Sequence, residues 1–394
     1  MLRIKRSRVV RFLAVMLVVV TIGVVLVVTS VSRAEGQQTK TNFRSLYSFT
    51  GNADGGAPWG SLIKDSFGNL YGTTYYGGAY YEGTVFKLDV TGLETVLYSF
   101  TGGQDGGKPH ANLIGDAEGN LYGTTYYGGT AEAGTVFKLD SVGIETVLHS
   151  FHVLDGSYPA GGLLRDQAGD LYGTTVGGGV FDVGTVFKLD PTGKLTHLHN
   201  FTGSTDGANP QARLIRDASG NLWGTTYVGG AAQAGTIFKL DASGNGAVVY
   251  SFSQSSGANP YAGLVRDPNG NLYGTTSFGG SFGFGTVFKL DAAGNETVLY
   301  SFAGSADGAQ PLGSLILDGT GALYGTTQLG GTYSLGTVFK VDSVGNHTIL
   351  HSFNGTDGAN PVAGLVRGNS GSLYGTTLQG GSYGYGTVFE ITPF

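Results

Sequence analysis

Leu272-Tyr273-Gly274-Thr275-Thr276, followed past a Gly-Gly turn by Gly285-Thr286-Val287-Phe288-Lys289-Leu290-Asp291, decides the fold, because the chain writes this pair of segments seven times with small variations. The Leu of the first segment falls at 70, 121, 171, 222, 272, 323 and 373, so the spacing alternates between 51 and 50 residues without exception. A period of that size marks a repeat architecture in which each copy is one supersecondary unit. The copies fill residues 43–394 with no linker between them, so one repeat domain replaces the two or three that 394 residues would otherwise suggest.

Within one copy, residues 248–252 (VVYSF) form a short β-branched and aromatic run, Gly257-Ala258-Asn259-Pro260 a turn, and residues 262–266 (AGLVR) a second run. Asp267-Pro268-Asn269-Gly270 then turns the chain into residues 271–276, and Asp291-Ala292-Ala293-Gly294 follows the third run, 286–290. Asp-x-x-Gly suits a tight hairpin between antiparallel strands. Four antiparallel strands per copy make a propeller blade, so the expected fold is an all-β, seven-bladed β-propeller. A parallel β-helix is also Gly-rich and repetitive, but its coils turn through bends rather than hairpins, and each period would need two coils. The order predicted outward from the axis is AGLVR, NLYGTT, TVFKL, VLYSF. Gly or Ala at 60, 111, 161, 212, 262, 313 and 363 lets seven strands crowd together at the centre. The repeats start out of phase, with an outer strand at 43–49, and end on a third strand at 387–392. Pairing of these two is expected to complete the last blade and lock the ring, since a propeller left open exposes an apolar face and an unpaired edge.

The first 34 residues differ in kind. Arg3, Lys5, Arg6, Arg8 and Arg11 precede an apolar run over 12–31, and Ser32-Arg33-Ala34 offers a small-x-small cleavage site. This is the layout of a secretory signal, cut before Glu35, with a run also long enough to serve as an N-terminal membrane anchor. The expected organisation is a leader at 1–34, a short linker at 35–42 and the propeller at 43–394, placed outside the cytoplasm as a secreted, periplasmic or membrane-tethered protein. The whole chain carries 22 Lys+Arg against 28 Asp+Glu; the leader holds six of the former and none of the latter, which leaves a net charge of −12 on the remainder. Such a surface argues against nucleic acid and anionic lipid as partners. Membrane contact is expected only through 12–31. With no Cys, the protein has neither disulfides nor thiolate chemistry.

Residues 70–89, LYGTTYYGGAYYEGTVFKLD, and their six relatives resemble the repeat of the bacterial GloVer tandem-repeat family, and the likeness covers essentially all of 43–394. The resemblance implies export and attachment to the cell by varied terminal anchors, with no agreed biochemical activity. The chain departs from that pattern by ending at Ile391-Thr392-Pro393-Phe394 without a C-terminal sorting segment, so the N-terminal run is the expected anchor.

Strand order sorts the loops. The Asp-Gly-x-x-Pro loops and the Gly-Gly loops share one face, and the Asp-x-x-Gly turns lie on the other. A localised function is expected on the first face, whose loops are longer and differ between copies. The Gly-Gly loops carry Tyr75, Tyr76, Tyr80 and Tyr81, Tyr126 and Tyr127, Phe278, Phe282 and Phe284, and Tyr383 and Tyr385. Such rings suit stacking on sugar faces or partner hot spots, or else cover the sheets between blades. After each loop Pro the copies disagree, and Trp59, His110, Asn112, Gln211, Arg213 and Tyr261 are the candidates at the mouth of the channel, against simple drift. The repeated Asp54, Asp105, Asp155, Asp206, Asp307 and Asp357, broken by Ser256, read as turn caps rather than calcium ligands, because each loop supplies one carboxylate. His197 and His199 share one side of an outer strand and read as packing. No catalytic or metal motif and no cofactor signature occurs. The function expected is a non-catalytic, monomeric binding module for an extracellular polymer, carbohydrate foremost, or for a protein partner. An enzyme, hydrolase or lyase, working through polar groups at the channel mouth and a structural envelope role are the alternatives. His110 and Arg213 beside carboxylates would favour the enzyme, and stacked aromatics without a polar cluster would favour binding.

Overall fold

A computed structural model describes residues 37–38 and 41–392. The leader, its cleavage site, the apolar run 12–31 and the final two residues lie outside the described residues. Seven small antiparallel sheets form a ring: a seven-bladed β-propeller. Blade 5 is representative, with Val265–Arg266, Leu272–Thr276, Thr286–Leu290 and Glu296–Ser301 paired in sequence order. The innermost run expected over 262–266 is a strand only at Val265–Arg266. Its first residues instead pack backbone against backbone at the axis: a Cβ on Gly60 would stand 2.5 Å from the Ala111 carbonyl oxygen, and one on Gly161 2.6 Å from that of Ala212. The crowding is as predicted, but it leaves these residues no room to pair as a ladder.

Closure follows the expected phasing. Asn42–Ser48 pairs antiparallel with Thr387–Thr392, from Asn42 opposite Thr392 to Ser48 opposite Thr387. The pairing carries an irregularity between Ser45 and Tyr47, the counterpart of the one at Val85/Phe86 in blade 1. The N-terminal strand is therefore the fourth strand of blade 7, and the two ends of the repeat array share one sheet. Just before it, Gln37–Gln38 adds in parallel to the outer strand His347–Ser352 of blade 6.

What holds neighbours together is written in every copy. The Phe of TVFKL and the Phe that ends VLYSF meet edge to face across each junction, for example Phe100 with Phe137 at 5.1 Å and Phe252 with Phe288 at 5.0 Å. Gly72 and its equivalents are required because the Phe ring of the paired strand crosses them; a Cβ there would lie 2.7 Å from the Phe86 ring. Buried Thr pairs link the second and third strands, as in Thr74–Thr84 at 2.8 Å. In blades 1 to 6 the Thr before each of these reaches the next blade, Thr326 Oγ1 donating to the Ala363 carbonyl at 2.9 Å, whereas the Thr376 hydroxyl of blade 7 is buried without a partner.

Candidate functional site

The two groups of candidates that the sequence separates, channel-mouth residues and loop aromatics, form one surface over blades 1 to 3. Trp59 follows the loop Pro of blade 1 and His110 that of blade 2; their rings lie 4.6 Å apart. Tyr75 approaches Trp59 at 6.3 Å and meets Tyr76 edge to face at 4.7 Å. On the other side His110 contacts Tyr126 at 5.6 Å, which meets Tyr127 at 4.9 Å and stacks on Tyr158 at 5.1 Å. The result is an unbroken run of rings from Tyr76 to Tyr158. Tyr76, Tyr127 and Tyr158 are exposed, while Trp59, Tyr75, His110 and Tyr126 are half-buried beneath them. Tyr80 and Tyr81 are also exposed, further out on the blade 1 loop.

Tyr261 stands across the axis in blade 5, edge-on to Tyr227 at 6.2 Å. Its hydroxyl neighbours the Trp59 indole, whose buried N–H closes no hydrogen bond of good geometry. Burial pushes the Tyr261 phenol up to about 12, with the indole N–H pulling back against it, so the phenol is neutral. A cavity of about 70 Å3 lies among Trp59, His110, Asn112, Gln211, Arg213 and Tyr261. Asn112 donates through Nδ2 to the Leu113 carbonyl at 3.3 Å. Arg213 lines this cavity and also the one on the opposite face, so its side chain runs down the channel. Burial takes the His110 imidazole down to about 4, with the Ala160 carbonyl working against the shift, so His110 is neutral at physiological pH. Among the described residues no carboxylate pairs with His110 or Arg213.

The remaining loop aromatics are placed differently. Tyr385 lies over Gly51 and Phe284 over Gly304, each covering the loop of the following blade. Phe278, Phe282 and Tyr383 are exposed but stand on blades 5 and 7, away from the run of rings. The Asp series caps turns: Asp105 accepts from the Thr101 amide at 2.8 Å and from the Tyr98 hydroxyl at 3.0 Å. His199 reaches Asp206 at 3.3 Å and His197 the Asp155 carbonyl at 3.0 Å, so the two rings serve different partners.

Sequence reasoning missed Tyr158 and Lys108. Both sit just before a loop Pro, at φ 60° and 55° in the left-handed region. In blades 4, 5 and 7 that position is Asn209, Asn259 and Asn360, and each side-chain amide donates to a carbonyl of the preceding blade at 2.8, 3.0 and 3.2 Å. Asn is the non-Gly residue best suited to that conformation, so its replacement by Tyr and Lys was the readable signal. Lys108 Nζ lies 4.6 Å from the Tyr76 ring centroid, 3.2 Å from Glu82 and 2.7 Å from the Tyr81 carbonyl.

The model of the Gloeobacter/Verrucomicrobia repeat matches residues 31–167, 142–322 and 306–394. The chain belongs to that repeat family. No curated protein matches its sequence. Among solved structures, the Gloeobacter/Verrucomicrobia repeat chain is similar to the extracellular domain of a protein assigned to the one-component systems of B. thetaiotaomicron. The TM-score is 0.58 at 14% identity, over 90% of this chain and 42% of that one. The chain thus spans less than half of that structure. It is also similar to a protein from Bacteroides uniformis assigned as a 6-phosphogluconolactonase, with TM-score 0.50, 18% identity, 80% of this chain and 88% of that one. At these identities the likeness is one of fold.

Proposed function

We propose that the protein is an exported, monomeric, non-catalytic binding propeller that takes a carbohydrate or other cell-surface polymer along the run of rings over blades 1 to 3. The observation that carries this reading is the continuity of that run, from Tyr76 through Trp59 and His110 to Tyr158. Flat, half-buried rings held in place by their neighbours offer apolar area to the C–H faces of sugars at little entropic cost. The Gln211 amide and the Arg213 guanidinium line the cavity beside them to meet hydroxyls. Hydrolysis or elimination calls for an acid and a base at the reacting bond. The mouth presents a neutral imidazole tilted against an indole, with no carboxylate paired to it among the described residues, and this arrangement favours binding over catalysis.

A glycan array probed with the parent and with Tyr76→Ser/Tyr127→Ser/Tyr158→Ser tests the reading. The parent should retain a defined glycan class and the triple variant should lose it while melting within a few degrees of the parent. An array with no retained glycan, or equal binding by both proteins, would overturn it.

A further inference from the structure

The opposite face carries a second irregularity of the repeat. The last residue of each inner strand is Lys64, Gly115, Arg165, Arg216, Arg266, Leu317 or Arg367. In blades 1, 3, 4 and 7 the cation serves the preceding blade. Arg216 sits 5.6 Å over the Tyr172 ring and donates to Asp166 at 3.1 Å, while Tyr172 itself donates to the same carboxylate at 3.1 Å. Arg165 lies 5.5 Å over Tyr122, beside Asp116, and Arg367 reaches Asp318 at 3.9 Å. In blade 6 the position is Leu317, whose side chain packs with Tyr273 in the core between blades 5 and 6.

Only blade 2 has no side chain there. A Cβ on Gly115 would find its nearest neighbours at 3.8 to 3.9 Å, in ordinary contact and without a clash. In front of it lie Tyr71 and Asp65, joined by a 3.1 Å hydrogen bond, as the equivalent pairs are bonded in blades 2, 3, 5 and 6, on the wall of a cavity of about 1130 Å3. Asp65 also accepts from the Asn69 amide at 2.8 Å and its side chain at 2.7 Å; these bonds outweigh burial and hold the carboxyl below its usual value, so it is charged.

We infer that the junction of blades 1 and 2 is a binding site for a guanidinium group, with the Tyr71 ring and the Asp65 carboxylate recognising a ligand arginine where blades 3, 4 and 7 use their own. The chain supplies the template for the ligand at the junction of blades 3 and 4. Lys87, 5.9 Å from the Tyr71 ring, does not exclude it, because Lys188 holds the same place on Tyr172 at 5.8 Å alongside Arg216. Lys64, the other cation of the cavity from blade 1, lies 5.7 Å over Tyr374 of blade 7. Exposed Phe67 and Val142 stand on the cavity wall, where they would cover the aliphatic stem of such a ligand. A planar cation that stacks and hydrogen-bonds at once is favoured over an ammonium.

Calorimetric titration of the full chain with Nα-acetyl-arginine amide should show one saturable site in the millimolar range, and the neutral citrulline analogue should not bind. Gly115→Arg should fill the site from within, weakening binding at least tenfold while leaving the melting temperature equal or higher. Asp65→Asn should weaken binding similarly. Arg216→Gly should open a second site and raise the stoichiometry to two; should that variant fail to fold, Gly115→Arg alone decides. Agmatine separates the sources: equal affinity points to a small guanidine and weaker affinity to an arginine in a polypeptide, either supporting the site. A flat titration of the parent to tens of millimolar, or undiminished binding by Gly115→Arg, would overturn the inference.

Discussion

Two arcs of the loop face share one backbone and little else. Over blades 1 to 3 the residues after the loop Pro and after LYGTT include Trp59, His110, Tyr75 and Tyr126, and their rings touch. Over blades 6 and 7 the same positions are Leu312, Val362, Gln328 and Leu378. On blades 5 and 7 the loop aromatics Phe284 and Tyr385 lie across Gly304 and Gly51, closing one blade onto the next. The left-handed position before Pro departs from Asn at Ala57, Lys108 and Tyr158 over blades 1 to 3 and at Gln310 in blade 6. Asn259 and Asn360 meet it with a side-chain amide bonded to the neighbouring blade; Lys108 reaches the neighbouring blade instead through Nζ, at the Tyr81 carbonyl and Glu82, and Tyr158 through its ring on Tyr126, so that the two add a cation and a ring to the aromatic surface. The difference teaches that the repeat demands only a few residues per blade. Departures that work against the local backbone preference, three of the four on one arc, mark what is not there for the fold.

The sharpest way to break the comparison is to attack what all blades share. Deleting residues 35–50 removes the fourth strand of blade 7 together with Phe49, which is fully buried against blade 1, and Phe43, which stacks on His351 at 3.8 Å. The loss should exceed about 5 kcal/mol, given that truncating one core Phe costs about 3–5 kcal/mol. Thermal melting should then be abolished or lowered by more than ten degrees; a melt within a degree or two of the parent would refute closure through this strand. Next in size, Phe288→Ala should destabilise by about 3–5 kcal/mol, read by denaturant unfolding, and leave glycan affinity of the folded protein unchanged. A change in affinity from that buried site would blur the line between the interior and the aromatic arc.

On the arc itself, restoring the residue that blades 4, 5 and 7 use should weaken binding without a loss of stability. Tyr158→Asn should stabilise by about 1 kcal/mol, because Asn tolerates the left-handed region and can reach the preceding carbonyl, and Lys108→Asn, which exchanges the Tyr81 and Glu82 contacts for that bond, should leave stability within about 0.5 kcal/mol of the parent. Both should weaken glycan binding. Variants that kept stability with affinity intact would place Lys108 and Tyr158 outside the site.

The architecture was legible because it is written seven times. Period, hairpin turns and the out-of-phase outer strand led directly to blade number, strand order and the Asn42–Ser48 pairing with Thr387–Thr392. The site was legible only as positions of disagreement. Trp59, His110 and Tyr75 could be nominated, but their joining into one surface depends on the distance between neighbouring blades, which periodicity does not encode. Tyr385 was nominated on ring chemistry alone, and its place over Gly51 follows from contact with a loop over 300 residues away in sequence. Gly115 was invisible for a different reason. One glycine among 71 stands out only once its equivalents in other blades are seen to reach the neighbouring carboxylates.

The smallest expected effect asks whether copy-to-copy differences on the outer rim also carry energy. Glu94 and Glu145 begin the outer strands of blades 1 and 2, and in each one carboxylate oxygen is buried without a partner. Burial, and then the negative charge of Asp54 or Asp105, pushes both up to about 7. In the unfolded chain they titrate near 4.5. Below that pH both states are protonated and above about 7 both are charged. In between the folded state holds protons that the unfolded state has released, so their contribution to stability falls as pH rises from 4.5 to 7 and stays low beyond it. Glu94→Gln/Glu145→Gln removes this dependence. The double variant should match the parent's pH trend below pH 4.5 and, relative to it, gain about 2 °C in melting temperature by pH 7.5, a shift worth under about 1 kcal/mol for a domain of this size. His110 and His347, both lowered to about 4 by burial, titrate in the opposite sense but are common to both proteins and cancel in the difference. Parallel curves for parent and variant across this window would show that the rim glutamates are solvated in solution, and that the energetic departures from the repeat are confined to the aromatic arc.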